Sequence, residues 1–456
     1  MVIRDWSSDV CSSDLLASLG HSVILLEQHC KLGGLATWFR RPNSHHIFDV
    51  SLHGFPAGMI KSMRKYWSKA IADKIVQLKA IRFINPQFEL TTTFSREDYT
   101  EKMTGFFKID RKTIDAFFDA TRSMNFYDDR ALTTRDLFNK FFPGRNDIIR
   151  FLMEPITYAN GSSLNDPAIT YGIVFSNFMA QGVFIFQGGT DVLIHMMSDV
   201  LRTNGVDIRT NALVEKICVE NGKVCGVIAN GQFIRAKTVI SNGNLISTVR
   251  DLVGYDHLAP EFVNAASAVR LNNSSCQVYL GIRKGERLPD IGDLLFVSDR
   301  ETFSSESLLE FPPSSRTYSM YYPSTRPHLE PDYTVVQSTN ANASDWAGLT
   351  DSEYSAKKRE LEADAVARLE KILPGVGGMI DHIESATPRT FERYAMHIDG
   401  SSFGTKFEGL DISRGLSNQV GGLFHTGSVA IIMSGWLGAV NYGIIVANDA
   451  DKYIRQ

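Results

Sequence analysis

Cysteine is scarce in this chain of 456 residues, and none of Cys11, Cys30, Cys218, Cys225 and Cys276 stands in a Cys-x-x-Cys pair. That rules against a disulfide framework and a cysteine-ligated zinc site, fits a reducing compartment, and leads us to expect no metal. Charge imbalance is also missing. A net charge of -4 gives no electrostatic case for nucleic acid as a partner. The opening lacks a basic region followed by an apolar stretch, so no signal peptide is expected. Internal repeats and low-complexity linkers are absent. Residues 415–448 form a long uncharged run, but Gly421, Gly422, Gly427, Gly435 and the polar Gln419, His425 and Asn441 suit a buried strand, turn and helix better than a membrane span. No Ser-His-Asp or paired-carboxylate spacing can be read, so hydrolase chemistry has no support.

The most telling lack is glycine near the start. From Leu16 the chain reads as the tail of a helix, a turn at Gly20-His21 and an apolar strand over 22–27 ending in Glu27, the second half of a nucleotide-binding βαβ unit. Counting back roughly 20 residues from the acidic residue, a Gly-x-Gly-x-x-Gly loop belongs near positions 4, 6 and 9. Arg4, Trp6 and Asp9 stand there. The segment DWSSDVCSSDL, Asp5 to Leu15, carries four Ser and three Asp in eleven residues and reads as neither strand nor helix. It resembles one reading frame of a common sequencing adapter. Residues 1–15 are therefore expected to be artefactual, in place of a lost N-terminus; the rival is a natural variant without the loop.

What is present points to a globular α/β protein. The length is about three typical domains, so two intertwined domains are expected. Hydrophobic residues at 43% and charged residues at 21% are ordinary for a folded chain. The 28 phenylalanines suit either a core or an apolar ligand tunnel. Residues 60–186 carry apolar residues at helical spacing and read as a mainly helical insertion. After it come a helix over 190–203, a strand over 206–209, hairpins turning at Asn221-Gly222 and Asn230-Gly231, and the strand TVISN. Alternating β segments fill 275–380 with a charged helix at 351–372, and the chain closes on a helix over 436–454. The expected division is a discontinuous Rossmann-like domain from 1–59, 187–274 and 381–456, with a second, α+β substrate domain from 60–186 and 275–380.

Glu27 at a strand end suits the two ribose hydroxyls of an adenine nucleotide, although many strands end in Glu, and the paired Gly33-Gly34 lets the backbone approach a pyrophosphate or flavin closely, a plain glycine turn being an equal reading of that pair alone. In order with Phe48-Asp49, Gly188-Gly189 and the hairpin, these residues resemble the FAD-dependent desaturase and isomerase family of bacterial phytoene desaturases, carotenoid isomerases and retinol saturase, within the amine oxidase-like flavoproteins. The resemblance covers 16–60 and 155–250 well and 385–445 moderately. It implies FAD, with Glu27 on the adenosine ribose, Gly33, Gly34 and Leu35 beneath the pyrophosphate and flavin, and the main chain of Val214 at the adenine. The closing GLFHTGSVAIIMSGWLGAVNYG is similar to the family's last motif at Gly427, Gly435, Gly438, Ala439 and Gly443. There a helix N-terminus would stabilise negative charge on a reduced flavin. Ser428 stands where the family has Asp, which weakens that contact.

The resemblance implies a flavoenzyme that moves hydride between FAD and an apolar isoprenoid or carotenoid-like substrate, desaturating, saturating or isomerising a carbon-carbon bond. The substrate domain is expected to enclose an elongated apolar pocket. A flavin amine oxidase and a non-catalytic flavoprotein-like scaffold remain alternatives. His53 is the catalytic candidate, with a structural histidine as its rival. Trp436 suits the flavin ring or the core equally. The mixture of Met59, Ile60, Met63, Tyr66 and Trp67 with Lys61, Arg64, Lys65 and Lys69 suits an interfacial helix, so a cytoplasmic protein with peripheral membrane contact is expected. A helix packed on its own domain is the rival.

Overall fold

The computed structural model describes the chain apart from residues 1, 4, 5, 126, 127, 129, 431, 433 and 434, and gives residues 2, 3 and 6–10 by backbone only. A five-stranded parallel sheet gathers distant parts of the chain in the order Asp207–Arg209, Ile24–Leu26, Val2–Ile3, Val239–Ser241 and Leu423–His425. Its inner strands are short apolar runs, as a sheet buried on both faces requires, whereas the edge strand Asp207–Arg209 exposes its charged ends. The hairpins turn as the sequence implies. Asn221 and Gly222, then Asn230 and Gly231, all adopt positive φ, as tight turns between twisted strands require.

One expectation fails here. Trp6–Ser18 is a helix, contrary to the reading of 5–15 as neither helix nor strand, although Asp5 and Arg4 lie outside the described residues. Propensity is overridden by packing. Cys11 and Leu16 enter the core, and the helix lies against Gly435–Arg455. The same packing buries Ser12, Ser13 and Asp14, and Asn204 Nδ2 donates to the Asp14 carboxylate at 2.7 Å.

A seven-stranded sheet forms the second layer, in the order Ile380–Ala386, Ser274–Ile282, Thr334–Ala341, Ser315–Tyr321, Leu294–Ser298, Ile81–Asn85 and Phe88–Thr92. All neighbours are antiparallel except Leu294–Ser298 against Ile81–Asn85. The alternation of a strand sorts its residues between two cores. Leu295 and Val297 face the charged helix Asp351–Ile372, through Leu361, Ala365 and Leu369. Phe296 faces a layer of helices that includes Arg111–Ser123, Asn146–Asn160 and Ala168–Met179. The segment 60–186 is therefore mixed, because its hairpin Ile81–Asn85 and Phe88–Thr92 extends the large sheet. Most of the phenylalanines that this helical layer contributes serve its core, where Phe151 stacks on Tyr99 at 4.2 Å.

Among the described residues no helix is long and apolar enough to cross a membrane. The helix Gly58–Tyr66 turns Met59 and Met63 into the core and shows Lys61, Arg64 and Lys65 to solvent.

Candidate functional site

The carboxyl ends of the parallel strands bring several of the sequence-picked residues to one edge, the place where open α/β sheets hold ligands. Glu27 is buried directly after Ile24–Leu26, and its Oε1 accepts the His29 amide at 2.7 Å. Its carbonyl accepts the Ala212 amide at 2.8 Å, which sets Val214 and the hairpin strand Val214–Glu220 beside it. Gly33 has φ +132°, and a Cβ there would lie 2.8 Å from Ile194 Cδ1, so only glycine fits that bend. Gly427 follows the last strand, and a Cβ there would lie 2.7 Å from the Gly243 carbonyl oxygen. Ile431, Met433 and Ser434 of the closing motif lie outside the described residues; beyond them Gly435 starts the helix Gly435–Arg455, in which Ala439 is buried and Gly438 half-buried.

A cavity of about 250 Å³ runs from this edge to the large sheet. Leu35, His53, Ser428, Gly435 and Trp436 line one end, and Phe94, Phe178 and Phe296 the other. Among the described residues none of the lining side chains is Asp, Glu, Lys or Arg. The floor is a row of uncharged polar groups on neighbouring strands, among them Gln277, Thr317, Ser338 and Asn340. Glu27, Val214, Gly427, Gly438 and Ala439 lie outside the lining, around the strand ends and in the last helix.

His53 sits in the wall with both ring nitrogens engaged. Nδ1 is 2.5 Å from the Tyr321 hydroxyl and Nε2 is 3.3 Å from Gln277 Nε2. The Gln277 amide is oriented by its neighbours: Nε2 donates to the Val50 carbonyl at 2.8 Å, and Oε1 accepts the Tyr279 hydroxyl. Nε2 of His53 is then the acceptor, and Nδ1–H donates to Tyr321. Desolvation pushes the imidazole down to about 4, against the pull of Asp49, so His53 is neutral at physiological pH. Asp49 itself accepts the Thr190 amide at 2.8 Å at the start of the helix Gly189–Thr203, and Arg326 Nη2 at 2.8 Å. A Cβ on Gly189 would lie 2.1 Å from that guanidinium, which explains the second glycine of Gly188-Gly189.

Sequence reasoning missed Gln277, Tyr321 and Arg326. A signal existed for Gln277, a lone amide in the otherwise apolar CQVYLGI. Nothing local marks the other two.

Among the described residues, buried polar atoms without partners gather at the same edge. Thr37 Oγ1, both amide atoms of Asn242, Asn244 Nδ2, Thr426 Oγ1 and Trp436 Nε1 are among them. Orphans of this kind are costly unless a polar ligand meets them, so the residues fit a nucleotide cofactor laid across the strand ends.

The flavin containing amine oxidoreductase model matches residues 11–450. The chain belongs to that family. The family is one of flavin-containing oxidoreductases. Among curated relatives, a chloroplastic prolycopene isomerase of Daucus carota is 29% identical over 53% of this chain and 39% of its own length. A 4,4'-diapolycopene oxygenase of Methylomonas is 25% identical over 52% of this chain and 54% of its own. The chain thus matches about half, or less, of these carotenoid-related relatives. Among solved structures, an oxidoreductase from Methanosarcina mazei superposes with a TM-score of 0.69 at 17% identity, covering 100% of this chain and 99% of that one. A putrescine oxidase bound to putrescine gives 0.68 at 14% identity, covering 100% and 98%. At such identity they establish the α/β flavoprotein fold alone.

Proposed function

We propose that this flavoprotein uses FAD to desaturate, saturate or isomerise carbon-carbon bonds of an apolar, isoprenoid or carotenoid-like substrate. The observation that carries the reading is the uncharged wall of the cavity, apolar at the Phe94, Phe178 and Phe296 end. A protonated amine would be left without a counter-charge there, which disfavours the amine oxidase alternative. Under this reading Glu27 holds the ribose, Gly33, Gly34, Leu35 and Val214 border the nucleotide, and Gly427, Ser428, Gly438 and Ala439 form the turn and helix start beside the flavin. When bound, FAD supplies the hydride acceptor or donor. The protein's own part is to exclude water, to fix the reacting carbon, and to present His53 as a neutral, hydrogen-bonded group.

The test is anaerobic incubation of flavin-loaded protein with linear polyenes and, separately, with aliphatic and aromatic amines. Change in the polyene chromatogram with no response to amines is expected. Flavin reduction by amines alone would overturn the proposal. Peripheral membrane contact belongs to the same proposal, in altered form: with Met59 and Met63 in the core, Lys61, Arg64 and Lys65 can act only through charge. Co-sedimentation is expected with anionic liposomes and not with neutral ones, and binding to neither would remove the idea.

A further inference from the structure

Away from the cavity, the antiparallel pair Trp38–Phe39 and Phe48–Asp49 carries two adjacent histidines in its connecting loop. His46 is 1% exposed and lies over the strand Ser274–Ile282 at Gly281, where a Cβ would come 2.2 Å from the ring. Its Nδ1 is 3.0 Å from Asp332 Oδ1, and its Nε2 is 2.7 Å from Asp381 Oδ1. His45 leans over it, ring centroids 3.8 Å apart, with Nε2 3.4 Å from the same Asp332 oxygen.

We propose that His45, His46 and Asp332 form a binding site for a divalent transition-metal ion of the zinc or cobalt type. One ligand atom from each lies within 4.8 Å of the others. An ion with bonds of about 2.0–2.2 Å in tetrahedral geometry sets its ligands roughly 3.3–3.5 Å apart, close to the spacings to Asp332. Two imidazoles and one carboxylate are a common ligand set for such ions, with the fourth position open to water. Asp381 supplies the outer contact that such sites use, accepting Nε2–H of His46 so that Nδ1 points at the metal. His45 and Asp332 are part-exposed, which leaves an entry path from solvent. Glu384 is paired with Arg41 and Glu330 with Lys284, so the extra negative charge beside the histidines is Asp381. The ion would join the loop before Asp49 to Asp332, two residues ahead of the sheet strand Thr334–Ala341, and so clamp the element that leads into His53.

The test is calorimetric titration of chelator-treated full chain with zinc, together with the visible spectrum of the cobalt-loaded protein. A Cys30→Ser background is used because Cys30 is exposed and close to His29. One equivalent should bind with a rise in melting temperature and a tetrahedral cobalt spectrum, and His45→Ala and Asp332→Asn should each weaken affinity by about tenfold or more. His45 is exposed enough for its loss to leave folding intact, which melting without metal checks. Absence of stoichiometric binding, or equal affinity in both variants, would overturn the site and leave an ion-paired histidine. Neither outcome depends on flavin or substrate.

Discussion

Replacing residues 1–15 with a β-strand and a Gly-x-Gly-x-x-Gly loop joined to Leu16 is expected to give a yellow protein that keeps flavin through gel filtration, while the present chain emerges nearly colourless. The strand Val2–Ile3 lies between Ile24–Leu26 and Val239–Ser241, so the turn after it sits at the centre of the ligand-binding edge. In a dinucleotide fold, that turn and the helix start supply backbone N–H groups to the pyrophosphate. Positions 4, 6 and 9 offer no glycine for the close approach. Two charge-assisted hydrogen bonds at roughly 1.5–3 kcal/mol each correspond to a hundredfold to ten-thousandfold in affinity. Glu27, Gly33, Gly34 and Val214 would be left to hold the adenosine and one flank. The buried face of Trp6–Ser18 is also poorly matched to its place: Ser13 Oγ has no partner among the described residues, and burial pushes the Asp14 carboxyl up. Stoichiometric flavin in both proteins, measured by absorbance after gel filtration, would show that the opening segment is tolerated.

Local chemistry explains which features the sequence disclosed. Asn-Gly pairs admit positive φ at little cost, so the hairpins at 221–222 and 230–231 could be placed to the residue. Short parallel strands such as Ile24–Leu26 are apolar throughout and end in recognisable residues, which made Glu27 legible. The hairpin Ile81–Asn85 and Phe88–Thr92 was hidden because its partner strand, Leu294–Ser298, lies more than 200 residues away and only that pairing makes it part of the large sheet. The helix Trp6–Ser18 was hidden for a related reason, since its support comes from Gly435–Arg455 at the other end of the chain. The cavity behaves the same way. Leu35, His53, Ser428 and Trp436 stand in glycine-rich motifs and could be picked, whereas Gln277, Thr317, Ser338 and Asn340 become one floor only through strand register.

Glu154→Gln is expected to remove a loss of stability that the parent chain suffers between about pH 5 and 8. Glu154 lies on Asn146–Asn160 and is buried, with Arg150 Nε 3.8 Å from Oε2 and with Oε1 unpartnered among the described residues. One contact at that distance does not offset the desolvation of a carboxylate, and burial pushes the group up to about 7. A carboxyl held above its unfolded value near 4.3 contributes stability below that value, and the contribution is lost as pH rises through about 7. The difference amounts to about 3 kcal/mol by pH 9. Gln keeps the shape without the charge, and Arg150 retains the Asn85 side chain and the Arg300 carbonyl as acceptors. Urea midpoints at pH 5, 7 and 9 should therefore fall for the parent chain relative to the variant, with equal slopes. Tyr158 stands one helical turn further on and lines the cavity, so ionised Glu154 also sets a negative charge behind the wall that would face an apolar substrate. Parallel pH dependence in both proteins would show that Glu154 is already ionised and adequately paired in the native state.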